Sequence, residues 1–347
     1  MYIYIMLLTM LIVCCLFENN KKAFYFASFV LFIAAAMRGE GVDRDYKTYI
    51  SIYEYLSNGE PYTIEPTFII FSLISKALIN SPILIFIIYA LLGLYYKAKY
   101  IRSFSPYICL SLLLYYSNFY FVHELTQIRI GVASGIGFYA LKFLIEGDRK
   151  KFILMIFASS LFHFSMLVLL ISLVFDRNKI SSKFILNTSF LILFSYVLIF
   201  LNINLLNLLQ YIPIPVIQEK FNIYEYQTKN SMIEQVNIFS AMQFIHLTVL
   251  LVILNNAKKF QNNPPMVLLS KLYSLSPICL VLLSPLPAFA IRLSELYSVA
   301  DIIVLPIIAS YCKQNRTARF FIILLSVFVF LINLYHNNIV KGYYIWM

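Results

Sequence analysis

Apolar stretches of near-membrane length follow one another from end to end of the chain, with short polar breaks between them. Tyr2–Phe17, Phe152–Phe175, Phe184–Leu201, Asn237–Leu254 and Phe320–Tyr335 are examples. Inside a bilayer every backbone N–H and C=O must be satisfied by the protein, so only helices and closed barrels span it. Barrel strands would show alternation in segments of about ten residues, and these runs do not alternate. With 61% hydrophobic residues, 12% charged residues and a mean hydropathy of +0.80, the chain is excluded from the water-soluble globular domains. The expected fold class is all-α: a polytopic integral membrane helical bundle of roughly ten full spans plus two broken or re-entrant segments. It is expected to form a single transmembrane domain over residues 1–347, with two longer extracytoplasmic segments at 38–65 and 202–236.

A net charge of +11 would suit a nucleic-acid partner, but the lysines and arginines occupy short loops between apolar runs. That is the positive-inside distribution, and no nucleic acid is expected. The five cysteines (Cys14, Cys15, Cys109, Cys279, Cys312) lie in or beside apolar runs. Their spacing fits neither a metal site nor a disulfide framework. The N-terminus enters a hydrophobic run with no basic n-region or small-residue cleavage site, which reads as a retained first span.

Lysine clusters set the sides. Lys21 and Lys22, then Lys97, Lys99 and Arg102, then Glu146–Lys151, Lys258 and Lys259, and Lys313, Arg316 and Arg319 are read as cytoplasmic. Segment 38–65 holds six of the sixteen carboxylates and is placed outside; Tyr46, Tyr49, Tyr53 and Tyr55 recur in it at helical intervals, predicting an interfacial helix. Pro66–Ile79 is only about fourteen residues long, and Ser81 and Pro82 separate it from Ile83–Tyr96. One full crossing plus one half-helix reconciles the sides of Glu65 and Lys97. Phe152–Phe175 carries His163 at its centre and either dips in and returns or crosses once.

On this topology unusual charges collect at the external membrane borders: Arg38, Asp43, Asp45, Glu65, Glu124, Arg129, Arg292 and Glu295. Arginine binds phosphate with a planar, permanently charged fork, and three converging ones (Arg38, Arg129, Arg292) would suit a pyrophosphate. Arg129 opens an apolar run that is rich in small residues, with Gly131 and Gly135 at GxxxG spacing. It is either a snorkelling arginine or a cation awaiting an anionic ligand. Arg292 and Glu295 share a helix face, as a local ion pair or as a carboxylate orienting a phosphate-binding arginine. Asp43 and Asp45 lie in the glycine-flanked RGEGVDRDY, where a flexible loop could bring a general base to a sugar hydroxyl. His163 is an intramembrane candidate, with bonding to Ser159 or Ser160 as the structural alternative. His246 reads as structural. Walker, HExxH and GxSxG motifs are absent from the sequence.

Five stretches together resemble a known family. Phe121–Ala133 (FVHELTQIRIGVA) resembles the NQIRQGxA signature of the EpsG and Wzy-type polysaccharide polymerases, with Thr126 at the usual asparagine and Ile130 at the usual glutamine. Met37–Tyr49 looks like the family's R-x-x-x-G-x-D-x-x-x-Y segment, with one residue fewer between Arg38 and Gly41, and Glu65–Leu73 its E-P-x-[FY]-x-x-[FL] element. Phe152–Leu167 resembles F-x-x-x-x-x-A-x-x-F-H-x-S-x-L with His163 at the histidine and one residue more between Ala158 and Phe162, and Tyr211–Tyr224 is similar to a Y-I-P…K-F-x-x-Y external segment.

The resemblance implies an extracytoplasmic glycosyltransferase in the bacterial cytoplasmic membrane, its site facing the periplasm or outside. An undecaprenyl-pyrophosphate-linked oligosaccharide serves as donor and acceptor, and no metal or other cofactor is needed because the donor is already activated. Arg38, Arg129 and Arg292 would bind pyrophosphate. Asp43, Asp45, Glu65 or His163 would act as base or orient the acceptor, with Glu124, Glu295, Gln127, Tyr46 and Tyr49 in support. A chain-length regulator and a flippase are the expected protein partners. The alternatives are an O-antigen ligase-like glycosyltransferase and a lipid-linked oligosaccharide flippase or transporter. The polymer could be O-antigen, capsule or exopolysaccharide.

Overall fold

Helices begin where the sequence supplies a side-chain acceptor. Asn20, Asp148, Ser181, Ser240 and Asn263 each accept from an amide in the following first turn. The computed structural model describes residues 1–17, 20–203, 218, 222, 226 and 235–345. In chain order the helices are α1 (Tyr2–Leu16), α2 (Lys21–Ala36), α3 (Tyr46–Ser57), α4 (Pro66–Ile79), α5 (Ile83–Phe104), α6 (Ile108–Tyr115), α7 (Ile128–Ile145), α8 (Arg149–Ser160), α9 (Ser182–Phe200), α10 (Ala241–Asn255), α11 (Pro264–Leu282), α12 (Pro287–Ser298), α13 (Asp301–Tyr311) and α14 (Asn315–Leu331). A π-helix, Tyr116–Thr126, joins α6 to α7, and a 3₁₀ helix, Phe164–Leu173, follows α8. Among the described residues there is no strand beyond two isolated bridges, Arg38 with Ile345 and Asp43 with Val340. The chain packs as two compact units, Met1–Phe175 with Ile302–Met347, and Asp176–Asp301.

In the first unit α7 lies against α5. Small residues make the approach close: a Cβ on Gly135 would come within 3.3 Å of the Gly93 carbonyl oxygen and 3.1 Å of the Tyr96 Cβ. The tyrosine periodicity of segment 38–65 forms α3, whose face of Tyr46, Tyr49, Ile52, Tyr53 and Leu56 is buried against Phe68, Phe86, Tyr89, Ile128 and Val132. The expected interruption after α4 is present, with Asn80 in the left-handed region at φ 47°. The Phe152–Phe175 run is broken in the middle, α8 ending at Ser160 and the 3₁₀ helix starting after His163. Both pieces pack on α7.

The expected count of roughly ten full spans is not confirmed. Among the described residues five helices are long and apolar enough to cross a membrane: Ile83–Phe104, Ile128–Ile145, Ser182–Phe200, Pro264–Leu282 and Asn315–His336. A sixth is reached if Pro287–Ser298 and Asp301–Tyr311 make one broken span. Other apolar runs fold into shorter helices such as Tyr2–Leu16 and Ala241–Asn255. Most of segment 202–236, with the Tyr211–Tyr224 motif, lies outside the described residues.

Lys97 corrects the reading of sides. It was expected in a cytoplasmic loop and Glu124 at an external border, yet Lys97 lies inside α5, 1% exposed, with its Nζ 4.0 Å from the Glu124 carboxylate. A buried pair cannot have its members on opposite faces of a bilayer. The charge rule misassigned Lys97 because a paired interior lysine counts in sequence like a loop lysine.

Candidate active site

Three elements bring Arg129, Glu65 and His163 together. Glu65 is the residue before α4 and precedes Pro66, which holds it extended at ψ 143°. Arg129 is the second residue of α7, just after Gln127 ends the π-helix at ψ 61°. His163 caps the 3₁₀ helix at φ −161°. A guanidinium nitrogen of Arg129 donates to Glu65 Oε2, and His163 Nε2 stands 3.8 Å from Glu65 Oε1. Thr67 Oγ1 donates to the Leu161 carbonyl at 2.9 Å and so ties the start of α4 to the break before His163. The Ser165 amide donates to His163 Nδ1 at 3.3 Å, so in the neutral ring the proton is on Nε2, facing Glu65. The His163 ring bonds Ser165, its backbone amide donates to the Ser159 carbonyl at 3.2 Å, and Ser159 Oγ donates to the Ala133 carbonyl at 2.8 Å. The Arg129 side chain is 26% exposed and the Glu65 side chain 8%.

Arg38 and Asp43 form a second, closed pair. Arg38 Nε donates to Asp43 Oδ2 at 2.8 Å and Nη1 to the Ala35 carbonyl at 2.8 Å, with both side chains fully enclosed. The Asp45 amide donates to Asp43 Oδ1 at 3.0 Å. Burial, the larger influence, pushes the Asp43 carboxyl above its ordinary value of 3.8, and Arg38 pulls it back. The C-terminal tail fastens this loop: the Gly39 amide donates to the Tyr344 carbonyl at 2.7 Å and the Lys341 amide to the Val42 carbonyl at 2.9 Å. Arg44 adds bonds to the carbonyls of Asn337 and Asn338.

An aromatic layer connects the two pairs. Arg38 lies over the Phe86 ring at 4.6 Å, Phe86 meets Tyr49 edge-on at 6.4 Å, and Arg129 lies over Tyr49 at 6.0 Å. Tyr46 stacks on Phe86 at 4.8 Å. Burial pushes the Tyr49 phenol up to about 12, and Arg129 is the chief influence against it. Arg38, Asp43, Tyr46, Tyr49, Glu65, Arg129 and His163 thus belong to one neighbourhood of the first unit.

Arg292 and Glu295 lie in the second unit on α12, where Arg292 is exposed. Among the described residues they form no ion pair with each other. His246 is buried in that unit with Nδ1 2.9 Å from the Tyr273 hydroxyl, as a structural histidine would be. Glu124 is buried with Lys97 and accepts from the Tyr115 hydroxyl. Lys97, Tyr115, His123 and Thr67 were missed as site neighbours, since no local pattern marks a long-range partner.

Two comparisons find nothing: no curated protein and no solved structure matches the chain. A third matches residues 21–346 to the model of one family, described as the EpsG family.

Proposed function

The chain belongs to the EpsG family, and on that premise we propose that it polymerises undecaprenyl-pyrophosphate-linked repeat units at the outer face of the bacterial cytoplasmic membrane. The family is one of polysaccharide polymerases, membrane enzymes of glycosyltransferase type. The single observation that carries the reading is the convergence of Arg129, Glu65 and His163 from three elements at a partly open face.

In the transfer the anomeric C–O bond to pyrophosphate breaks, and the acceptor hydroxyl oxygen bonds to that carbon. The electron pair leaves on the pyrophosphate, whose growing charge Arg129 meets with a planar, permanent cation. The acceptor proton requires a base. Glu65 is engaged by Arg129; once the guanidinium turns to the pyrophosphate, the carboxylate is released to take that proton. His163, with its proton on Nε2, orients the other carboxylate oxygen. Asp43 and Asp45 remain the alternative bases on the neighbouring loop. Arg38, enclosed with Asp43, is assigned to shaping that loop rather than to direct pyrophosphate contact, and Arg292 remains a proposed pyrophosphate ligand. A chain-length regulator and a flippase remain the proposed protein partners.

Complementation of a deletion strain tests the reading. Wild-type protein restores long chains, whereas Arg129→Ala leaves single repeat units attached to the final acceptor. Complete loss of surface glycan in the deletion strain would instead indicate the flippase or ligase alternative, and wild-type chain lengths with Arg129→Ala would refute the pyrophosphate role.

A further inference from the structure

Beneath Arg129 lies a second polar cluster that the proposed chemistry does not use. Lys97 Nζ, from α5, donates to the Gly131 carbonyl at 3.0 Å and stands 3.3 Å from His123 Nδ1 and 4.0 Å from Glu124 Oε1. It also lies over the Tyr115 ring at 5.0 Å. Tyr115 donates its hydroxyl to Glu124, and Ser134 Oγ donates to the same Gly131 carbonyl at 3.1 Å. Lys97, His123, Glu124, Tyr115 and Ser134 are each at most 2% exposed.

The sequence reserves room for this cluster. A Cβ on Gly93 would overlap the Glu124 carboxylate, and a Cβ on Gly131 would overlap the His123 carbonyl. The contacts of Lys97 fall on both sides of one irregular point. His123 and Glu124 belong to the π-helix, Gly131 to α7, and the backbone changes course at Gln127 between them. Arg129 lies in the chain between the two clamped points, Glu124 and Gly131.

We infer that Lys97 and Glu124 are positioning residues for Arg129. The ammonium pins the last π turn and the first turn of α7 to a single point on α5, and this fixes the direction in which the Arg129 guanidinium leaves its helix. A π-helix is a rare irregularity that recurs at functional sites. In some proteins buried charges are retained because they specify one geometry among several. The inference rests on the role given to Arg129 above.

The test is a double-mutant cycle in the native deletion strain, reading polymer made per molecule of membrane-inserted protein. Lys97→Met leaves Glu124 buried without its cation, so the Lys97→Met/Glu124→Gln pair, which removes both charges, is made beside it. Each is combined with wild-type Arg129 and with Arg129→Lys; Glu65→Asp replaces Arg129→Lys as background if the latter makes no polymer. The expected result is about a tenfold loss from the charge-removed pair in the wild-type background and no further loss in the Arg129→Lys background. Equal fractional losses in both backgrounds overturn the inference, because the cluster then acts independently of Arg129. Wild-type polymer from the charge-removed pair overturns it as well. So does failure of both Lys97 variants to accumulate, which assigns the cluster to folding alone. Wild-type polymer from Arg129→Lys sinks instead the reading of Arg129 on which the inference stands.

Discussion

A guanidinium cannot shed its charge at physiological pH, whereas a carboxyl can, so the two halves of the enclosed Arg38–Asp43 pair are not equivalent. Replacing Asp43 by Asn strands a permanent cation with both side chains sealed from solvent. Breaking such a pair from that side costs on the order of 3–5 kcal/mol. Arg38→Met is milder, because burial already raises Asp43 and the carboxyl can take up a proton once the cation is gone. The sign with pH follows. A carboxyl whose folded value lies above its unfolded one binds its proton more tightly when folded, so that contribution is greatest in acid and is lost as pH rises through the window above 3.8. Melting of the detergent-purified protein at pH 5 and pH 8 checks both points. Asp43→Asn melts lower than Arg38→Met at pH 5, and the deficit of Arg38→Met widens at pH 8.

At the scale of elements, what the sequence shows depends on how local the cause is. The tyrosine spacing of α3 and the stop at Asn80–Pro82 are properties of neighbouring residues and were legible, whereas the run around His163 read equally as one crossing or as a dip and return. The π-helix was not legible, since the partner its last turn meets, Lys97, lies on another helix. Nor was the fastening of the Arg38–Asp45 loop by the tail, which rests on backbone bonds between residues some 300 positions apart. Each missed element yields an expectation. Gly131→Ala drives a methyl into the His123 carbonyl, so it destabilises the protein by about 1–3 kcal/mol and lowers its melting point. Removing residues 337–347 takes away the acceptors for Gly39 and Arg44 and the donor for Val42. The loop is then freed, and trypsin cuts at Arg44 faster than in the full chain while cuts elsewhere keep their rates.

For the whole molecule the open quantity is which helices cross, and the pair α4–α5 decides it most directly. α4 has 14 residues and α5 has 22. At 1.5 Å per residue these are about 21 Å and about 33 Å long, against a hydrocarbon core of about 30 Å. Lys76, in the last turn of α4, donates to the carbonyl of Ser57, the last residue of α3. The far end of α4 therefore stays beside the helix of segment 38–65 instead of reaching the other face. With Lys97 removed from the charge count as a buried pair, Lys99 and Arg102 still mark the end of α5. One crossing between Ser57 and Phe104 follows, made by α5, with α4 a half-helix that delivers Glu65 to Arg129. Single cysteines at the exposed positions Asn58 and Ser103 in a cysteine-free chain test this with a membrane-impermeant maleimide. Asn58→Cys reacts in intact cells and Ser103→Cys only after permeabilisation. Reaction of both in intact cells would make α4 a full crossing, and α4 would then carry Glu65 at the rim of a span rather than at the root of a half-helix.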